Sequence, residues 1–209
     1  GGGQLGKMLL SECNKMDIKT SVLDPSENSP CRNITDKFIL GDFNDFDVVY
    51  NFGKECDIIT FEIEHINVKA LEILESEGKM VYPKSKTLKI IQDKNTQKSF
   101  FVDHDIPTSN FRFFKSLHEF KNSITNKEVL FPCVWKKTKF GYDGFGVKIL
   151  KTPEDINTLP ESEMIIEDLV SFEKELSVIV ARNSDKEVSC FETVEMEFNS
   201  DSNQVEFVI

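Results

Sequence analysis

The chain has 209 residues, 39% of them hydrophobic and 18 of them Phe, enough apolar material for a real core and enough length for two lobes. A net charge of −11 and a pI near 4.8 exclude a general nucleic-acid binder. No apolar run approaches the roughly 20 residues needed to span a bilayer. The five cysteines lie far apart without a C-x-x-C pair, so they read as reduced thiols of a cytoplasmic protein, neither a zinc site nor a disulfide frame. The chain does not begin with Met and opens inside a motif, which leads to the expectation of a polypeptide truncated at both ends.

That opening motif is Gly1-Gly2-Gly3-Gln4-Leu5-Gly6, with a helix continuing through Lys7-Met8-Leu9-Leu10. A strand over residues 18–24 follows and ends in Asp24. The interval from glycines to acid is close to the ~20 residues of a dinucleotide fold, which on its own suggests an NAD-type site. A glycine turn at a helix N-terminus nevertheless suits any phosphate, or no ligand at all. Residues 37–40 read as a strand, 45–52 as a helix, and 57–61 as a buried strand leading to Glu62, Glu64 and His65. These three are either a ligand rim or helix caps. An amphipathic helix over 68–77 stops at Gly78, and residues 80–82 are a further strand. Strands alternating with helices imply a parallel sheet, with ligands beyond the carboxyl ends of its strands.

Residues 85–104 are helical, with a break at which Asp93 serves as N-cap. Residues 111–113 form a strand and 117–124 a helix. The apolar runs Val129 to Trp135 and Val147 to Leu150 flank Lys136-Lys137-Thr138-Lys139-Phe140-Gly141-Tyr142-Asp143-Gly144-Phe145-Gly146, an antiparallel hairpin with a glycine-rich tip. The glycines let backbone N–H groups face an anion, and Lys136 sets an ammonium beside them. This is not a Walker A loop. A surface hairpin with solvated lysines remains the bland alternative. Beyond it come a short helix at 153–159, a buried strand at 164–166 ending in Glu167, Asp168, Leu169 and Val170, a strand over 175–181, a turn at 183–185, and an antiparallel partner at 188–194.

In this order the segments resemble the ATP-grasp superfamily. The opening glycines, Glu62-Ile63-Glu64-His65, Ile91-Gln92-Asp93-Lys94, Gly141-Tyr142-Asp143-Gly144 and residues 173–182 together are similar to the 5-(carboxyamino)imidazole ribonucleotide synthase family. The resemblance covers nearly the whole chain. It implies an α/β fold: an N-terminal parallel Rossmann-like (pre-ATP-grasp) domain at 1–83, then an ATP-grasp α+β region with a small lobe at 84–168 and an incomplete large lobe at 169–209. It implies a carbon–nitrogen ligase in which ATP and bicarbonate form carboxyphosphate and the amine of 5-aminoimidazole ribonucleotide takes the carboxyl group, in purine biosynthesis. The cofactors implied are ATP and Mg2+, and a cytoplasmic homodimer is expected.

By the same resemblance Lys94 and Lys136 contact phosphates, and Gly141, Tyr142, Asp143, Gly144, Phe145, Gly146 and Val147 form a flap. Tyr142 and Asp143 face the substrate amine as the catalytic pair. Glu167, Asp168, Leu169 and Val170 hold adenine and Glu175 holds ribose. Gly3, Gln4, Leu5 and Glu64 hold the ribonucleotide. The chain departs from the family in having Lys94 where bacterial members often have Arg, Phe145 in place of a basic residue, and Phe198-Asn199 where a His is common. No metal ligands are expected within this chain; they should lie downstream of Ile209, so the 209-residue piece is expected not to complete the reaction. Another ATP-grasp ligase, transformylase-like or biotin-carboxylase-like, is the alternative within the superfamily, and an NAD-binding oxidoreductase the one outside it.

Overall fold

The computed structural model describes residues 1–141, 146–199 and 205–209. Tyr142, Asp143, Gly144 and Phe145 of the expected flap lie outside them. The chain divides into two compact units, Gly1–Phe100 and Phe101–Ile209.

The first unit alternates helix and strand. Helix α1 (Gln4–Lys15) follows the glycines, and β1 (Ser21–Asp24) pairs in parallel with β2 (Lys37–Leu40). Helix α2 (Phe46–Lys54) begins where the Asp45 carboxylate accepts the Val48 N–H at 2.9 Å. Strand β3 (Ile58–Thr60) pairs in parallel with β4 (Met80–Tyr82), and α3 (Val68–Ser76) connects them under an Asn67 cap. Helices α4 (Ser85–Ile91) and α5 (Lys94–Asp103) are separated at Asp93, whose carboxylate accepts the Thr96 N–H at 3.0 Å, as the N-cap reading required.

Leu23, Val49, Ile59, Leu71, Leu74, Val81 and Leu88 make the core of this unit. Its strands form two separate parallel pairs, β1–β2 and β3–β4, where the alternation suggested one sheet. Residues 57–61 are not the buried strand expected from their hydrophobicity: Ile59 alone is buried in β3, and Ile58 is 58% exposed. The reason is that β3 has a strand neighbour on one side only. A parallel strand is buried when both its edges and both its faces are covered.

In the second unit β5 (Phe111–Phe114), β6 (Cys133–Lys137), β7 (Val147–Leu150) and β8 (Met164–Asp168) form an antiparallel sheet in the order β5-β8-β6-β7. Strands β6 and β7 are the expected hairpin. Strand β6 starts only after Pro132, which has no N–H to give a ladder, and Leu130 is exposed. Helix α6 (Leu117–Thr125) and a 3-10 turn (Pro153–Thr158) accompany the sheet, and the core is Phe114, Phe120, Cys133, Trp135, Leu150, Met164 and Ile166.

Residues 175–181 do not make one strand. They split into β9 (Glu175–Ser177), paired with β12 (Val194–Phe198), and β10 (Val180–Arg182), paired with β11 (Val188–Cys190); β13 (Val205–Val208) joins β12 on its other side. The partner expected over 188–194 is divided in the same way. The turn holds, because the Asn183 side-chain carbonyl accepts the N–H groups of Asp185 and Glu187 at 3.0 and 2.9 Å.

Candidate functional site

In the first unit the glycine loop is clamped from below. Gly2 N–H donates to Asp24 Oδ2 at 2.7 Å, and Asp24 Oδ1 takes the Ser26 N–H at 2.8 Å. The Gly2 carbonyl accepts from Ser29 Oγ at 2.7 Å and from the Cys31 N–H at 3.1 Å. Burial pushes the Cys31 thiol above its ordinary range, so it packs under the loop as a neutral group. A Cβ on Gly6 would come within 2.6 Å of the Gly1 carbonyl oxygen; only glycine lets α1 approach the loop this closely.

The clamp corrects the NAD-type reading of Asp24. One of its carboxylate oxygens holds the Gly2 N–H and the other the Ser26 N–H, whereas a dinucleotide site would turn that acid toward ribose hydroxyls. The helix above remains open. Gly3 is its N-cap and offers no side-chain cap, no acid stands in the first turn, and Gln4 and Leu5 are exposed. Its first-turn amides and dipole therefore favour an anion. Glu62 sits against this loop: a Cβ on Gly1 would be 2.7 Å from Glu62 Oε1, and Glu62 Oε2 is buried without a hydrogen-bond partner among the described residues. Glu64 is exposed, and its backbone carbonyl accepts from Gln92 Nε2 at 2.6 Å. None of Glu62, Glu64 and His65 caps α3, which Asn67 does through the Ala70 N–H at 3.0 Å.

A cavity of about 660 Å³ in this unit is a different feature. It runs between the free edges of β1 and β3 and is lined by apolar groups such as Leu10, Val22, Phe52, Ile59 and Leu71. Its wall also carries the polar residues Lys19, Thr20, Asp36, Glu55 and Asp57, none of them singled out from the sequence as a site residue. Lys94 occupies the first position of α5, where its charge opposes the helix dipole at a cost of roughly 0.3–1 kcal/mol. An anionic ligand at that end would offset the cost.

In the second unit the sheet register sorts the side chains. Cys133, Trp135, Ile166, Met164, Phe114 and Leu150 point into the core. Phe111, Phe113, Val134, Lys136, Val147, Ile149, Ile165 and Glu167 share the opposite face. That face is largely apolar and carries an ion pair: Lys136 Nζ donates to Glu167 Oε2 at 3.0 Å. Ser109 Oγ donates to the same oxygen at 2.8 Å.

The flap stems lie beside this face. Lys137 N–H donates to the Gly146 carbonyl at 2.8 Å, and Gly146 has φ +78, a left-handed backbone that suits glycine. Thr138 is buried and its N–H donates to the Glu163 carbonyl at 3.2 Å. At the carboxyl end of β8, Asp168 is tied by its N–H to the Asn110 carbonyl at 3.1 Å and by its carboxylate to Asn110 Nδ2 at 2.8 Å. Leu169 and Val170, past the strand, are exposed. Glu175 opens β9 and is half-buried. On the core side, burial and then the Asp168 charge push the Cys133 thiol up to about 11.

Two kinds of surface thus exist, one in each unit: an uncapped helix N-terminus that suits a phosphate, and an apolar sheet face with one fixed ammonium beside a glycine hairpin. The second can hold a flat apolar ring and a phosphate chain together. Among the described residues no group of three His, Cys, Asp or Glu comes together to hold a metal ion. Sequence reasoning missed Ser109 altogether and did not foresee the contact of Asp24 with the Gly2 N–H. It singled out Glu62 but did not single out its place beside Gly1.

Comparison with known proteins gives consistent results. Residues 1–92 match the ribonucleotide synthetase preATP-grasp domain, and residues 99–207 match the ATP-grasp domain. The chain is 35% identical over 202 residues to the chloroplastic phosphoribosylaminoimidazole carboxylase of Vigna aconitifolia, covering 94% of this chain and 36% of that protein. It is 34% identical over 199 residues to the N5-carboxyaminoimidazole ribonucleotide synthase of Bacillus subtilis, covering 93% and 52%. The crystal structure of N5-carboxyaminoimidazole ribonucleotide synthetase from Thermotoga maritima superposes with a TM-score of 0.83 at 38% identity, over 94% of this chain and 52% of that one. That of the Aspergillus clavatus enzyme in complex with ADP and 5-aminoimidazole ribonucleotide gives 0.83 at 30% identity, over 96% and 53%. The chain therefore spans about a third to a half of the length of these relatives.

Proposed function

The chain belongs to the ATP-grasp family, and on that premise we propose that it serves the ATP-dependent carboxylation of 5-aminoimidazole ribonucleotide by bicarbonate in purine biosynthesis. The observation that carries the reading is Lys136 on the apolar sheet face beside the flap stems, an arrangement that a nicotinamide dehydrogenase has no use for. ATP supplies the phosphoryl group that turns bicarbonate into carboxyphosphate, releasing ADP. The exocyclic amine nitrogen then bonds to the carboxyl carbon, phosphate leaves, and the nitrogen loses a proton.

In this proposal Lys136 and Lys94 bind phosphate oxygens, each as a compact cation. Residues 141–147 cover the triphosphate and exclude water, which carboxyphosphate requires because it hydrolyses readily. Tyr142 and Asp143 face the substrate amine. The backbone edge of the strand end at Glu167, Asp168, Leu169 and Val170 lies along adenine, leaving the Glu167 side chain to Lys136, and Glu175 accepts from ribose hydroxyls. The α1 N-terminus at Gly3, Gln4 and Leu5 takes the ribonucleotide phosphate, with Glu64 and Glu62 at its rim. The reading brings with it bicarbonate, magnesium, a homodimer and a cytoplasmic location. The described residues offer no carboxylate cluster for magnesium, and no step here depends on one. No helix is long and apolar enough to cross a membrane.

The test is calorimetric titration of the chain with the non-hydrolysable analogue AMP-PNP and, separately, with NAD. AMP-PNP should bind more tightly. Lys136→Ala should weaken it by about 1.5–3 kcal/mol, the value of charge-assisted contacts. Asp143→Asn should leave it nearly unchanged while lowering affinity for 5-aminoimidazole ribonucleotide. Tighter binding of NAD, or an unchanged AMP-PNP affinity in Lys136→Ala, would defeat the assignment.

A further inference from the structure

We infer that Ser109 and Glu167 are positioning residues, which hold the Lys136 ammonium in the orientation that a nucleotide phosphate needs; this rests on the reading of the sheet face as the ATP site. The geometry begins with the register. Lys136 of β6 lies opposite Ile165 of β8, so Glu167, two residues further along, is its diagonal neighbour on the same face. The Glu167 side chain is 8% exposed and that of Lys136 29%. The carboxylate is therefore the more buried partner of the pair and the ammonium the more exposed one. Oxygen Oε2 receives both Lys136 Nζ at 3.0 Å and Ser109 Oγ at 2.8 Å. Ser109 comes from the segment entering β5, so two separate parts of the unit fix one carboxylate oxygen.

A lysine has three donors. One is spent on Glu167, which leaves the others for a ligand. Without that anchor the four-carbon stem would sample many rotamers, and binding would have to order it. Stability is a poor reason for the pair, because well-packed apolar residues of similar volume commonly replace a buried ion pair without loss. What an apolar replacement cannot do is aim an ammonium. The task needs an acceptor oxygen at Oε2 and does not need the full negative charge, which by itself repels a triphosphate.

The experiment is a double-mutant cycle on AMP-PNP affinity, with folding checked by circular dichroism. Lys136→Met sets the full loss due to the ammonium. Glu167→Ala should weaken binding about tenfold, the lower end of what a charge-assisted hydrogen bond commands. Glu167→Gln keeps an oxygen for both donors and should stay within about threefold of wild type. Ser109→Ala should fall between these. In the Lys136→Met background Glu167→Ala should cause no further loss, because its effect runs through the lysine. Equal losses in both backgrounds would show Glu167 acting on the nucleotide directly and overturn the inference, as would unchanged affinity in Glu167→Ala. Should Glu167→Ala fail to fold, Glu167→Leu takes its place in the cycle, and Ser109→Ala reports independently. If Lys136→Met itself leaves AMP-PNP affinity intact, the ATP-site reading fails and this inference with it. If Lys136→Met weakens binding but the cycle is additive, only the positioning role falls.

Discussion

Replacing Asp24 by Ala tests how the glycine loop is held. The substitution leaves two backbone N–H groups without their carboxylate, Gly2 at 2.7 Å and Ser26 at 2.8 Å. The Gly2 contact is partly buried, and a hydrogen bond to a charged group there is worth roughly 1.5–3 kcal/mol. The Ser26 contact is exposed, water replaces it readily, and it adds about 0.5 kcal/mol. The expected loss is therefore about 2–3.5 kcal/mol, and for a unit of about 100 residues each kcal/mol lowers Tm by ~4–8 °C. Urea and thermal unfolding followed by far-ultraviolet circular dichroism measure both. Asp24→Asn retains one acceptor oxygen and should lose about half as much. A change below about 0.5 kcal/mol in Asp24→Ala would refute the clamp, and so would an Asn variant as unstable as the Ala variant. Retained stability together with NAD binding would return Asp24 to the ribose role that the structure takes from it.

Phe120 is fully buried with its ring 5.2 Å from Phe114, so Phe120→Ala should cost about 3–5 kcal/mol in urea unfolding; a cost below about 1 kcal/mol would mean that the α6 contact is dispensable. With its thiol pushed up to about 11 by burial, Cys133 should resist iodoacetamide at pH 8 until the chain unfolds, while exposed Cys190 reacts first; mass spectrometry of partly labelled protein decides the order. The Asp155 carboxyl is held below its ordinary range by the Thr152 and Lys151 N–H groups, at 2.9 and 2.8 Å. A depressed folded value means stability that is present above the ordinary carboxylate range and lost as pH falls through the folded value. The urea midpoint of the wild type should accordingly fall more steeply than that of Asp155→Asn between about pH 4 and 2, and parallel curves would remove Asp155 from the acid limb.

What could be read from the residues alone was whatever a short stretch of backbone decides. Asp93 caps a helix within three residues, and the apolar runs around the glycines make a hairpin because its two strands are close in sequence. The order of glycine loop, lysine strand and acidic strand end carried the family likeness for the same reason: it is a linear pattern. Errors arose where neighbours distant in sequence decide. Residues 57–61 are as apolar as a buried strand, yet burial depends on what lies at the strand's free edge. Residues 175–181 alternate like one strand, but each half found a different partner and the ladder broke between them. Asp24 stands where a ribose ligand would, and only the approach of Gly2, 22 residues away, shows that Oδ2 is engaged by the glycine loop. Lys136 announced itself by its place before the glycines. That it is aimed by Glu167, 31 residues on, and through it by Ser109, 58 residues before Glu167, depends on the sheet bringing β6, β8 and the β5 entrance side by side. No local propensity encodes such a pairing, because the free energy that selects the register is spread over the whole core beneath it.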